Sequence, residues 1–164
     1  MAARLSPRPP ERHRGCLLFL LVVLAAGIVA AAPQTPPTHP LTGRRIANIY
    51  TNSSWLDRAE RETEEQPDRA LALIGILRGM VVADVGAGTG YMTVRLARLV
   101  GTEGKVYAND LQATMLARVQ DRVRRENLSN VVSIQGTATE TRLPADAIDL
   151  ALLVDVYHEF WYPQ

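Results

Sequence analysis

The chain has 164 residues, 47% of them hydrophobic, and a formal net charge of +1. These values suit one globular domain. The single cysteine, Cys16, excludes a disulfide scaffold and catalysis that depends on thiols, and the isolated His39 and His158 show no spacing typical of a metal site. Four arginines and one glutamate among the first 14 residues leave the rest slightly acidic, so no basic surface for nucleic acid is expected.

The first 32 residues have the features of a secretory signal peptide. Basic, proline-rich residues 1–14 precede the apolar run 16–32, which ends in small residues. Cleavage is expected before Ala32. An uncleaved N-terminal membrane anchor is the alternative, because the run is barely long enough to span a bilayer. The arginines precede the run, so in either case we predict an exported protein, periplasmic or secreted, or a membrane-anchored one.

Two segments separate this leader from the first strand. Residues 33–54 are predicted to be a linker, because proline and threonine dominate its beginning and the remainder shows no periodicity. The charged stretch 55–65 is predicted to be a solvated helix. Pro67 suits the first turn of a further helix, which Gly79 ends. The apolar face of that helix is formed by Leu71, Ile74 and Leu77.

The most informative stretch covers residues 81–91. A short run rich in valine, residues 81–85, is typical of a buried strand. Glycines follow at the alternate positions Gly86, Gly88 and Gly90, and an amphipathic helix is predicted over 91–100. A strand, a glycine loop and a helix form the first half of a nucleotide-binding βαβ unit. Glycine lets the backbone approach a ligand closely, and the helix start offers free N–H groups.

The spacing of the glycines discriminates between ligands. A dinucleotide fingerprint, G-x-G-x-x-G, would place its third glycine at position 91, where this chain has Tyr91. A phosphate-binding P-loop needs Gly-Lys-Ser/Thr, and no lysine lies near. A glycine-rich turn without a ligand is the remaining alternative.

Asp110 follows the second predicted strand, residues 105–109, about twenty residues beyond the glycine loop. At this spacing an acidic residue meets the ribose of an adenosine ligand, where its carboxylate can accept hydrogen bonds from both hydroxyl groups. The alternative is a cap for the helix predicted over 112–126. Strands are predicted over 131–135 and 148–154, with a polar and aromatic segment, 155–160, after the last.

The pattern D-x-G-x-G-x-G at residues 84–90, with its flanks, closely resembles motif I of the class I S-adenosylmethionine-dependent methyltransferases. The resemblance covers residues 55–164. It implies an α/β, Rossmann-like doubly wound sheet, of which this chain holds the N-terminal half with strand order 3-2-1-4. It also implies S-adenosyl-L-methionine as cofactor. The residues implied to bind it are Asp84, Gly86, Ala87, Gly88, Thr89, Gly90, Asp110, Leu111, Met115, Thr137, Ala138 and Asp155.

Two further expectations concern the chemistry. Thr137 stands where the family usually has an acidic residue close to the adenine, which weakens that contact. His158 is the candidate catalytic base because its intrinsic pKa is near neutral, with Glu159 beside it as a second candidate; packing or capping is the alternative role for His158. The methyl acceptor is not identified by the sequence.

The family's domain normally continues through three more strands, so we expect a fragment or a truncated member. Residues 148–154 would then be an exposed edge strand through which the chain could self-associate. Two other functions stay open: a non-catalytic remnant of the fold, and a nicotinamide-binding oxidoreductase half-domain, since an acidic residue at position 110 would suit NAD equally.

Overall fold

The computed structural model describes residues 37–162, which form a four-stranded parallel sheet with helices packed on it. A 3₁₀ turn, Tyr157–Glu159, follows the last strand. The helices and strands, in chain order, are α1 (Ser53–Leu56), α2 (Arg61–Glu65), α3 (Pro67–Ile74), β1 (Val81–Val85), α4 (Tyr91–Val100), β2 (Lys105–Asp110), α5 (Ala113–Arg125), β3 (Val131–Gln135) and β4 (Leu150–Leu152).

The sheet has the order β3-β2-β1-β4, and all neighbouring strands are parallel. Val82 in β1 lies opposite Val106 in β2 on one side and Leu150 in β4 on the other. The predicted Rossmann-like half-sheet with order 3-2-1-4 is therefore confirmed. Ligands of open α/β sheets bind beyond the carboxyl ends of the strands, which here lie on one side.

The core forms because valine and leucine recur at the spacing that each element buries. Helix α4 packs against β1 and β2, and α5 packs against β2 and β3. Val82, Leu96 and Val106 are completely buried in the cluster beneath α4, while Val119 of α5 packs with Ala108 in a second cluster. This packing fixes the carboxyl ends of β1 and β2, from which the candidate site is built.

Strand β4 is shorter than the predicted 148–154. Pairing with β1 begins at Asp149, whose backbone N–H donates to the carbonyl of Val81 while its carboxylate accepts from the Val81 N–H at 2.8 Å. It ends at Leu152, and the chain then turns at Asp155, which has a φ of 52°. Within residues 37–162, β4 has β1 as its only partner strand. Self-association through this edge stays a prediction.

Residues 37–54, part of the predicted linker 33–54, form defined contacts with the rest of the chain. Ile46 is buried, and Thr38 forms an isolated antiparallel bridge with Arg45. The guanidinium group of Arg44 donates to the carbonyls of His158 and Phe160, at 2.9 and 3.0 Å. These contacts join residues more than 110 positions apart, so nothing in the local sequence pattern could indicate them.

The helical region before β1 differs from prediction. The charged stretch 55–65 forms parts of two short helices, α1 and α2, rather than one. Helix α3 ends at Ile74 because Gly75 adopts a φ of 78°, a left-handed conformation that caps helices, and not at Gly79. Leu77 therefore lies outside the helix and is 67% exposed.

The leader predicted over residues 1–32 lies outside the described residues. Between residues 37 and 162, no helix is both long enough and apolar enough to cross a membrane. The boundaries 1–32, 33–54 and 55–164 and the exported or membrane-anchored location stay predictions.

Candidate functional site

A cavity of about 460 Å³ lies among the residues that follow the carboxyl ends of all four strands. Eleven of the twelve residues predicted to bind a cofactor line it, and so do both candidate catalytic residues, His158 and Glu159. The exception is Gly90. A cavity of this size falls within the range of small-molecule sites.

The glycine loop, residues 86–90, is held against the neighbouring strand. The N–H groups of Gly86 and Ala87 both donate to the carbonyl of Asn109, at 2.8 and 2.9 Å. Gly86 has a φ of 77°, and a Cβ atom there would lie 2.4 Å from Cγ2 of Val156. Glycine is thus required at position 86 both for the backbone conformation and for the close approach of Val156.

Gly90 has a structural role instead of a place in the cavity wall. Its φ is 83°, and a Cβ atom there would lie 3.2 Å from the Cα atom of Val119 in α5. The third glycine therefore allows α4 and α5 to pack closely. The sequence pattern could not separate this role from ligand binding, since both need a residue without a side chain.

The Asp110 carboxylate sits between the loop and the next helix. One oxygen accepts the N–H of Gly88 at 2.9 Å, and the other accepts the N–H of Gln112 at 2.8 Å. The contact with Gln112 is a turn contact two residues along the chain and not a helix cap, because Gln112 is itself the N-cap residue of α5 and forms no side-chain capping bond. The contact with Gly88 orders the loop. A carboxylate has about four lone-pair sites, so two stay available on this cavity-lining group.

Asp84, in β1, is almost fully buried beside the cavity and accepts a hydrogen bond from the hydroxyl of Thr93 at 2.6 Å. Burial raises the pKa of its carboxyl group to about 6; the Thr93 bond opposes this shift and the Asp110 charge adds to it. The negative charge of Asp84 is therefore costly in the free protein, and a cation in the cavity would offset that cost.

Asp84→Asn is expected to stabilise the free protein at pH 7.5. The folded-state pKa lies above the unfolded value, so the stability linked to this group is present below about pH 4 and is lost as the pH rises through about 6. Asparagine keeps an acceptor for Thr93 without the charge. The melting temperature should rise by roughly 5 °C at pH 7.5 and change little at pH 4. Equal shifts at both pH values would contradict this explanation.

The N-terminal part of the fold supplies one wall of the cavity. Trp55 and Leu56 of α1 line it. The ring of Tyr91 is stacked between the guanidinium groups of Arg61 and Arg95, whose carbon atoms lie 4.0 and 4.1 Å from its centre. The only sequence signal was the position of Trp55 and Leu56 as apolar residues in a charged stretch.

The candidate catalytic residues lie after β4. Glu159 accepts the N–H of Tyr50 at 3.0 Å, and burial raises the pKa of its carboxyl group. Nδ1 of His158 lies 3.7 Å from a carboxylate oxygen of Asp155. The structure thus brings these three predicted residues to one side of the cavity.

Thr137, Leu111 and Met115 form the part of the cavity wall next to Asp110. The hydroxyl of Thr137 accepts the N–H of Glu140 at 3.0 Å, so it serves the turn in which it lies. Met115 is buried and Leu111 is partly exposed. Within the part of the chain that the structure describes, no group of three or more histidine, cysteine or acidic residues could hold a metal ion.

A family model described as "Methyltransferase domain" matches residues 82–164, about half of the chain. The match begins in β1 and includes the glycine loop, Asp110 and the residues after β4. The chain belongs to the class I S-adenosylmethionine-dependent methyltransferases. The family implies S-adenosyl-L-methionine as the cofactor of this methyltransferase domain.

Individual relatives support the assignment. The chain is 36% identical over 76 residues to a ubiquinone/menaquinone biosynthesis C-methyltransferase, UbiE, of Marinomonas sp. (strain MWYL1), and the match covers 46% of this chain and 30% of that protein. It is also 36% identical, over 76 residues, to a demethylmenaquinone methyltransferase of Geobacillus stearothermophilus, covering 46% and 32%. The matched region thus spans about a third of each curated relative.

A solved structure extends the comparison to the fold. A SAM-dependent methyltransferase from Aquifex aeolicus superposes with a TM-score of 0.67 and 30% sequence identity, covering 70% of this chain and 62% of that one. The cavity residues fit the family's cofactor, because the carboxylate of Asp110 lines the cavity beside the glycine loop and has lone-pair sites beyond the two that accept backbone N–H groups.

Proposed function

We propose that this methyltransferase domain transfers the methyl group of S-adenosyl-L-methionine to a small-molecule acceptor. The main support is the position of Asp110, a cavity-lining carboxylate that accepts the Gly88 N–H and keeps further lone-pair sites for ribose hydroxyls. Ribose recognition beside a glycine loop is the arrangement that an adenosyl ligand needs.

Each part of the cavity has a role in this proposal. Asp110 binds the ribose, and Leu111 and Met115 border the adenine, with Thr137 and Ala138 at the rim. Residues 86–89 take the methionine end, and the buried carboxylate of Asp84 favours its ammonium group. When bound, the donor supplies a methyl group made electrophilic by its sulfonium. The chain's own task is to hold the acceptor in line with that methyl group, which can supply several kcal/mol of the barrier.

The residues after β4 would serve the acceptor. His158, whose Nδ1 lies 3.7 Å from a carboxylate oxygen of Asp155, would accept a proton from the acceptor. Glu159 is a second candidate, because its raised pKa brings it closer to the pH at which it could exchange a proton. The proton then passes to solvent through the partly exposed ring of His158.

The nature of the acceptor is suggested by the aromatic lining. Of the eight aromatic residues between positions 37 and 162, six line this one cavity. Apolar rings grouped around a cavity mark a ligand surface more often than an isolated exposed ring does. We propose a small, partly apolar acceptor that packs against these rings, a class to which the quinone-related compounds in the names of the curated relatives would belong. The rings available to the acceptor are Tyr50, Trp55, Phe160, Trp161 and Tyr162; the sixth, Tyr91, is covered by Arg61 and Arg95.

Titration calorimetry of the full chain with S-adenosylhomocysteine and, separately, with NAD tests the proposal. We expect binding of S-adenosylhomocysteine alone. Binding of NAD alone would favour the oxidoreductase alternative, which Tyr91 at the third-glycine position of a dinucleotide fingerprint argues against. Binding of neither ligand would favour a non-catalytic remnant of the fold.

A further inference from the structure

Asp57 stands where three parts of the structure meet. It directly follows α1, and one of its carboxylate oxygens accepts two hydrogen bonds. The hydroxyl of Thr89, in the glycine loop, donates to it at 2.7 Å, and the guanidinium group of Arg122, on α5, donates at 2.5 Å. A single carboxylate therefore ties the end of α1 to the glycine loop and to α5.

The hydrogen bonds of Asp57 determine the position of α1, which forms one wall of the cavity. Cδ1 of Leu56, the residue before Asp57, is 3.1 Å from the position that a Cβ atom on Gly88 would occupy. Helix α1 has only four residues, too few to be stable alone, so its position depends on its contacts. Further contacts to α1 come from the Arg61 guanidinium, which donates to the Leu56 carbonyl at 2.9 Å, and from the Arg58 guanidinium, which donates to the Trp55 carbonyl at 3.2 Å.

The side chain of Thr89 supports the same interpretation. Thr89 is almost completely buried, and its hydroxyl donates to Asp57. In the free protein this side chain therefore serves the attachment of α1. Hydrogen bonds to a carboxylate are roughly twice as strong as neutral ones, which makes Asp57 the strongest link between α1 and the loop.

We propose that Asp57 is a positioning residue for the methyl donor. Through Thr89 and Arg122 it holds Leu56 against Gly88, so that α1 closes over the ligand in the loop and slows its release. This inference depends on the proposed function, because it concerns the donor site. It adds a residue outside the matched family region, which begins at residue 82.

The test is the rate of S-adenosylhomocysteine release from the full chain, measured by surface plasmon resonance. Asp57→Ala and Thr89→Val should each raise the dissociation rate about tenfold and change the association rate less than about threefold, since a closing element acts mainly on release. The double variant should release the ligand no faster than Asp57→Ala alone, because Asp57→Ala already removes the one bond that Thr89→Val breaks.

A matched control separates positioning from general stability. Glu126→Gln removes the ion pair between Arg98 on α4 and Glu126 after α5, and neither residue lines the cavity. It should leave the release rate unchanged. Thr89→Val, which breaks the same bond from the other side, is the second variant if the alanine variant does not fold. Melting curves without ligand establish that each variant is folded.

Hydrogen exchange of the free protein measures the effect of the Asp57 contacts on the glycine loop without any ligand. The Gly88 N–H, which donates to Asp110, should exchange with solvent faster in Asp57→Ala than in Glu126→Gln. If the unmodified chain does not bind S-adenosylhomocysteine, the proposed function fails and this inference with it. If the unmodified chain binds but a folded Asp57 variant releases the ligand at the normal rate, only the role of Asp57 is overturned.

Discussion

Replacing Asp110 with alanine is expected to weaken S-adenosylhomocysteine binding at least about tenfold, the cost of removing one or more hydrogen bonds to a charged group. The substitution removes the acceptors proposed for the ribose hydroxyls. It also frees the N–H groups of Gly88 and Gln112, which the carboxylate now holds. Titration calorimetry measures the loss, and a melting curve shows how much of it comes from reduced stability.

Asp121→Asn is the matched control for this substitution. Asp121 lies on the exposed side of α5, where it pairs with Arg124. Removing this surface charge should change ligand affinity by less than about twofold, because exposed ion pairs contribute little. An unchanged dissociation constant in a folded Asp110→Ala variant would remove the ribose assignment.

Gly86→Ala is expected to abolish measurable S-adenosylhomocysteine binding. A Cβ atom at this position would lie 2.4 Å from Cγ2 of Val156, so the loop or the chain after β4 must move. The positive φ adds strain of about 1–2 kcal/mol for a residue with a side chain. Both effects alter the loop where the methionine end of the donor is proposed to bind.

Gly79→Ala separates the two effects. Gly79 has a φ of 85°, and a Cβ atom there would meet nothing within 4 Å. This variant should therefore lose stability through strain alone and keep its ligand affinity. If calorimetry finds the same affinity for both glycine variants, the contact between Gly86 and Val156 does not shape the site.

The sequence predicted the elements that are set by local patterns. The bounds of β1, α4 and β3 agree with prediction, because each combines a clear apolar period with glycine or polar residues at its ends. The sheet order followed from the resemblance carried by the glycine loop. The loop and Asp110 came together as expected, since the carboxyl ends of neighbouring parallel strands are adjacent.

The remaining features depend on contacts between distant residues. The segment around Arg44 and Tyr50 shows no periodicity, and it is ordered by hydrogen bonds to residues 158–160. The role of Asp57 depends on Thr89 and Arg122, which lie 32 and 65 positions away. Composition alone predicted a linker for the segment around Arg44 and Tyr50, and a solvated helix for the stretch that contains Asp57.

For Asp110, the sequence pattern could not decide between two possible roles. Its spacing suggested either a ribose ligand or a helix cap, as alternatives. The structure shows no side-chain cap on α5; instead the carboxylate accepts the backbone N–H groups of Gly88 and Gln112, which is compatible with the proposed binding role. A sequence pattern cannot show how many lone-pair sites a side chain still has free.

A crystal structure of the full chain with S-adenosylhomocysteine tests the central claim most directly. The account predicts the ribose hydroxyls within hydrogen-bond distance of the Asp110 carboxylate and the methionine end against residues 86–89. A complex with the ligand bound elsewhere, or with the ribose hydroxyls away from Asp110, would contradict it.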